Sequence, residues 1–198
     1  ALKIKEYCQQ ENITLIEDAA HAIGASIQGV YAGNIGDISC FSFYPTKIMT
    51  TAEGGMLLCS DKDLFEKATS FRNRGRDINT QGEVYSRLGT NNRMTEFAAL
   101  LGISQLKCLN NFLETRRMIA RIYNEKIQVS DVSHLVQPII VPEEINHSYW
   151  RYLITLDPSI NREVIKEELA KDNIASDWAY YPALHLQPYF MQQYKTYK

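Results

Sequence analysis

Lys47 closes the run Phe41-Ser42-Phe43-Tyr44-Pro45-Thr46-Lys47, and Thr50-Thr51-Ala52-Glu53-Gly54-Gly55 follows shortly after. Upstream, Asp18 lies in the turn Glu17-Asp18-Ala19-Ala20-His21, directly after the run Ile13-Thr14-Leu15-Ile16. A primary amine delivered near one strand end and a carboxylate at another suit a specific chemistry. The amine condenses with an aldehyde, while the carboxylate keeps a heteroaromatic ring nitrogen protonated so that the ring accepts electrons. Those are the requirements of pyridoxal phosphate (PLP), with Lys47 in the first role and Asp18 in the second.

Such side chains need elements to hold them. Residues 2–11 carry Leu2, Ile4 and Tyr7 at amphipathic-helix spacing, and residues 13–16 read as a short buried strand ending at Asp18. Gly24, Gly29, Gly33 and Gly36 predict hairpin-like turns between short strands. Residues 38–43 read as a strand that delivers Ser42 and, in the loop beyond it, Lys47. Residues 54–59 return as a strand, and Asp61 caps a helix running to about residue 71. The polar segment 72–90 has no period and reads as a loop. Helical spacing resumes over 95–109 and 111–127. Beyond it, 149–156 reads as a strand, 162–171 as a helix and 187–198 as a terminal helix. Helix and strand alternating around functional loops is the α/β signature, with ligand residues at the carboxyl ends of strands. We place a boundary near Leu109, giving a first domain of residues 1–108 and a small α+β domain of residues 109–198.

Four segments carry a resemblance: Glu-Asp-Ala-Ala-His-Ala at 17–22, Phe-Ser-Phe-Tyr-Pro-Thr-Lys at 41–47, Asn-Arg-Met-Thr-Glu at 92–96 and Tyr-Pro-Ala-Leu-His at 181–185. In order and spacing the chain resembles the DegT/DnrJ/EryC1/StrS family of PLP-dependent sugar aminotransferases, along essentially its whole length. The resemblance implies the fold type I, aspartate-aminotransferase-like architecture. On it, this chain is the C-terminal portion of the PLP-binding large domain plus the small domain, with the N-terminal part of the large domain missing.

The resemblance also implies residue roles. Lys47 carries the cofactor, Asp18 pairs with its pyridine nitrogen, His21 touches its ring oxygen and Ser42 binds its phosphate. An asparagine reaches the phosphate of a neighbouring subunit; here the segment reads Gly89-Thr90-Asn91-Asn92-Arg93-Met94. The flanking aromatics of the family are absent, so the register stays open between Asn91 and Asn92. Arg93 suits anion recognition, and Tyr181 and His185 line the sugar-nucleotide side. Taken alone, each has an ordinary alternative: a helix-capping Asp18, a packed His21 or His185, a Ser42 bonding its own backbone, an Arg93 in a structural ion pair.

The implied reaction moves an amino group, from L-glutamate in most relatives, to a nucleotide-linked keto sugar, in a homodimer. Family dehydratases replace the lysine with histidine, which disfavours that activity here. Two alternatives stay open: a fragment that acts only with a partner chain, and a cyclitol- or aminobenzoate-forming enzyme with the same cofactor residues.

Composition is compatible with this and narrows other classes. The chain has 198 residues, 45% hydrophobic, with net charge -2, so nothing points to nucleic acid or a membrane surface. No apolar run approaches a membrane span and no signal peptide opens the chain, which predicts a cytoplasmic protein. Cys8, Cys40, Cys59 and Cys108 are widely spaced, predicting buried free thiols and no metal site.

Overall fold

A computed structural model describes residues 1–178 and 181–194. In chain order the elements are α1 (Leu2–Gln10), β1 (Ile16–Asp18), β2 (Ser26–Ile27), β3 (Val30–Tyr31), β4 (Ile38–Ser42), β5 (Gly55–Cys59), α2 (Lys62–Arg72), α3 (Glu96–Gln128), β6 (Val136–Pro138), β7 (Ile145–Asn146), β8 (Ile154–Leu156), α4 (Arg162–Lys171), a 3-10 turn at Leu184–Leu186, and α5 (Pro188–Tyr194). The sheet that carries the site has the order β1-β4-β5, with β1 parallel to β4 and β5 antiparallel to it. Asp18 pairs in register with Cys40, and Ser42 with Gly55.

Glu17 welds the turn between β3 and β4 to β1. Its carboxylate accepts from the backbone N–H groups of Gly33, Ile35 and Gly36 and from the Ser39 hydroxyl. Burial alone pushes this carboxyl up, but the bonds from Gly33, Gly36, Ser39 and Ile35 outweigh it and hold Glu17 below the usual carboxylate range. The parallel register of β1 against β4 is thereby locked one residue before Asp18.

The two helical stretches expected over 95–127 form one helix. Thr95 caps α3 by accepting from Ala98 N–H, and no glycine or proline interrupts Asn110-Asn111 to break it. At 33 residues α3 is roughly 50 Å long. The boundary drawn near Leu109 lies inside it. No described helix is both long and apolar enough to cross a membrane. Leu113 and Ala120 bury the middle of α3. Gly24, at φ +74°, sits so close under Leu113 that any side chain there meets it.

Two strand readings are corrected. The first strand is Ile16–Asp18 and not 13–16, because Ile13 N–H closes the end of α1 on Cys8 O and Leu15 N–H is held by the Asp37 carboxylate. Its apolar face is also open, with Ile13 51% and Ile16 66% exposed. The strand read over 149–156 shrinks to Ile154–Leu156, pairing with β6. Tyr149 adopts φ 48° and its carbonyl, with that of Trp150, accepts from Arg116 of α3. The terminal helix ends at Tyr194, and the rest of the predicted 187–198 helix lies outside the described residues. All four cysteines are free thiols, but only Cys8 is buried and Cys108 is exposed.

Candidate active site

Parallel pairing sets two carboxyl-terminal strand ends side by side. Asp18 is the last residue of β1, and its Oδ1 accepts from Ala20 N–H at 3.0 Å, which turns the chain towards His21. Ala19, 1% exposed, anchors that turn by donating its N–H to Cys40 O on β4.

β4 leads into the lysine loop. Phe43 closes both ends of this loop: its N–H donates to Gly54 O, and its carbonyl accepts from Thr51 N–H and the Thr50 hydroxyl. Phe43, Ile48, Met49 and Thr51 are buried beneath it. Between these anchors the crest Tyr44-Pro45-Thr46 is exposed, and Lys47 stands half-buried at its end, its N–H donating to Tyr44 O.

Across this crest lies Trp150. Its indole N–H donates to Thr46 O at 2.6 Å, and its ring stacks on the His21 imidazole with centroids 3.6 Å apart and planes 20° from parallel. The Lys47 amine sits 4.7 Å from the indole centroid and the Arg151 guanidinium 4.5 Å. A cation on a tryptophan face gains about 0.5–1 kcal/mol at an exposed site. The sequence reading missed Trp150 and Arg151 by assigning them to a strand. The signal available was an aromatic-basic cluster, Tyr149-Trp150-Arg151-Tyr152, too crowded for a two-faced strand of strict alternation.

Burial lowers the Lys47 amine below the ordinary lysine value; the Asp18 carboxylate opposes this and the Arg151 charge adds to it. His21 is likewise lowered, first by burial and then by the positive charge of Lys47, against the opposing pull of Asp18 and with a further push from Arg151. Amine, carboxylate and imidazole therefore form one electrostatic unit. That set fits a flat heteroaromatic aldehyde, with an amine to condense, an acid group for a ring nitrogen and a ring-edge polar group.

The other predicted residues lie apart from this unit or at its margin. Ser42 ends β4, and its hydroxyl accepts a 3.4 Å contact from Tyr44 N–H. Asn91 bridges Asn73 through the backbone, and Arg93 donates to Asn73 Oδ1 at 2.7 Å. Asn92 and Arg93, with Thr51 to Gly55, Met94 and Phe97, line an open cavity of about 590 Å³ that does not include Lys47. Tyr181 is exposed and lies under the Arg162 guanidinium of α4 at 4.7 Å, and His185 is exposed on the 3-10 turn.

An α/β chain that sets a lysine and an aspartate at neighbouring parallel strand ends is of the kind built around a PLP site. Residues 2–198 match the DegT/DnrJ/EryC1/StrS aminotransferase family, and the chain belongs to that family. It is 34% identical over 193 residues to the GDP-perosamine synthase of Escherichia coli O157:H7, covering 98% of this chain and 51% of that protein. Solved structures agree on the fold. The aminotransferase TlmJ from Streptoalloteichus hindustanus superposes with a TM-score of 0.84 at 28% identity, over 96% of this chain and 50% of that one. Helicobacter pylori PseC, an aminotransferase of pseudoaminic acid biosynthesis, gives 0.84 at 27% identity, over 98% and 52%. The chain thus spans about half the length of the curated relatives it matches.

Proposed function

We propose that this chain carries the lysine-bearing part of a PLP-dependent aminotransferase that moves an amino group, from L-glutamate, to a nucleotide-linked keto sugar. The observation that carries the reading is the placement of Asp18 at the end of β1 and Lys47 in the loop after parallel β4, joined electrostatically. Family membership and the similarity to GDP-perosamine synthase support the substrate class. The same reading places Ser42 and Asn91 on the cofactor phosphate, Arg93, Tyr181 and His185 on the substrate side, and a homodimer in the cytoplasm. It also retains residues 1–108 and 109–198 as large- and small-domain portions.

Bound here, PLP supplies an aldehyde and an electron-accepting ring. Lys47 would hold the aldehyde carbon and, with its amine free, would move a proton to or from the donor's α-carbon; its lowered basicity leaves more of the neutral amine available near neutral pH. Asp18 would keep the ring nitrogen protonated through a charge-assisted hydrogen bond. His21, stacked on Trp150, would border the ring, and Trp150 covers one side of the amine.

A second reading is a chain that works only when paired with another polypeptide. It is favoured by an apolar face on α3 where Phe97 is 87% and Leu100 65% exposed. One experiment separates the two: add PLP, record the visible spectrum, reduce with borohydride and map the modified residue by mass spectrometry. Labelling at Lys47 alone, lost in Lys47→Ala, supports the first reading. Scattered labelling of surface lysines favours the second.

A further inference from the structure

We infer that Trp150 is the positioning residue for Lys47: its indole pins the peptide bond before the lysine and provides the surface on which the amine and His21 rest. The inference rests on Lys47 being the reactive amine, but its geometry stands without that reading.

The lysine loop is held firmly at its base and weakly at its crest. Phe43, Thr50, Thr51 and Gly54 bond the base together, and Ile48 and Met49 bury it. At the crest, the Lys47 N–H to Tyr44 O bond is local and spans three residues. Among the described residues, the hydrogen bond that ties the crest to a distant part of the chain is the one from Trp150 Nε1 to Thr46 O, across 104 positions. A peptide group carrying the residue before the lysine is thereby fixed from outside the loop.

Trp150 is itself braced for this task. Arg116 donates to the carbonyls of both Tyr149 and Trp150, at 3.1 and 3.2 Å. Arg117 donates to His147 O and to Gly24 O, tying the same segment to the turn that follows His21. Ser148, 2% exposed, donates to His21 O. A tryptophan serving only as core filling needs none of these backbone clamps, nor a cation and an imidazole against its ring. Here α3 supplies a rigid mount, and the mount presents one aromatic ring to the two side chains that the sequence motifs supply from β1 and β4.

The test uses the chain as it is, without cofactor, in two variants. Trp150→Phe keeps an aromatic surface and removes the indole N–H; Trp150→Leu removes both. Amide exchange at Lys47 should accelerate in Trp150→Phe by about fivefold, the factor that loss of one ordinary hydrogen bond gives. Exchange of buried α3 amides, such as that of Ala120, should not change. The pH profile of Lys47 acylation by limiting acetic anhydride, read by peptide mapping, should move upward towards that of an ordinary lysine in Trp150→Leu. Removing the indole relieves the burial of the amine and frees Arg151 from its place beside it, while Asp18 and His21 remain. Unchanged Lys47 exchange in Trp150→Phe, or an unchanged acylation profile in a folded Trp150→Leu, overturns the inference. If Trp150→Leu does not fold, the exchange arm alone decides it. Because neither readout needs PLP, a failure of borohydride labelling at Lys47 would sink the proposed reaction and leave this result standing.

Discussion

The basicity of Lys47 is set first by burial and then by charges that arrive from distant parts of the chain. Asp18 raises its basicity while burial and Arg151 lower it, and the lowering wins. Asp18→Asn therefore should lower the Lys47 pKa further still, because the one opposing influence is gone. Competitive acylation across pH measures this directly, and an unmoved Lys47 profile would show that the two residues are not coupled. In PLP-supplemented protein the same variant should lose on the order of 10²-fold or more in half-reaction rate with glutamate, as expected when a proton-holding group is removed. His21 gives a third readout at this scale. In a Trp178→Phe background Trp150 is the single tryptophan, and protonating the stacked imidazole should quench its fluorescence. His21 is lowered, so the quench should appear on acidification below the usual histidine value and vanish in His21→Gln.

At the scale of elements, the strand end that carries Asp18 depends on Glu17, and the tryptophan depends on α3. Glu17→Gln replaces a carboxylate that serves four donors, and should cost about 1–3 kcal/mol at neutral pH. The sign of the pH effect follows from its lowered value. A carboxyl held below its unfolded value of 4.5 contributes stability that is complete above that pH and is lost as pH falls through the folded value. Urea unfolding at pH 7 and pH 3 should thus show wild type losing more stability on acidification than Glu17→Gln. Arg117→Ala leaves the carbonyls of Gly24 and His147 without that donor. It should abolish the pH-dependent quench of Trp150 by His21 while α3 keeps its helicity; a retained quench would mean that α3 does not set the stack.

The whole molecule leaves much apolar surface uncovered. Along the first half of α3, Phe97, Leu100, Ile103 and Leu106 are 87%, 65%, 56% and 59% exposed. Contiguous apolar patches of this kind mark surfaces that pack against something else. The isolated chain should bind a hydrophobic dye and sediment as a concentration-dependent mixture. The double variant Phe97→Asp with Leu106→Glu should reduce both without lowering the unfolding midpoint, since neither side chain is buried. Unchanged sedimentation would remove this face as the cause.

The local pieces were legible in the order of residues. Motif segments singled out Asp18, His21, Ser42 and Lys47 as candidates, glycine spacing foretold the β2–β3 hairpin, and Asp61 and Thr95 marked the starts of α2 and α3 through hydrogen bonds that span three residues. Such features are legible because their physics is local: a cap, a turn or an amphipathic period needs no partner from elsewhere. What tertiary structure alone decided are contacts across long separations. The Trp150–Thr46 bond, the His21–Trp150 stack and the Arg116 and Arg117 clamps join residues between 30 and 129 positions apart, and no periodicity encodes them. The run from Tyr149 to Leu156 misled as a strand for the same reason: its β-prone aromatics were overridden by backbone bonds to a helix more than 30 residues upstream. Sequence thus singled out the candidate groups, and the Arg116 and Arg117 clamps from α3 decided how the tryptophan beside them is held.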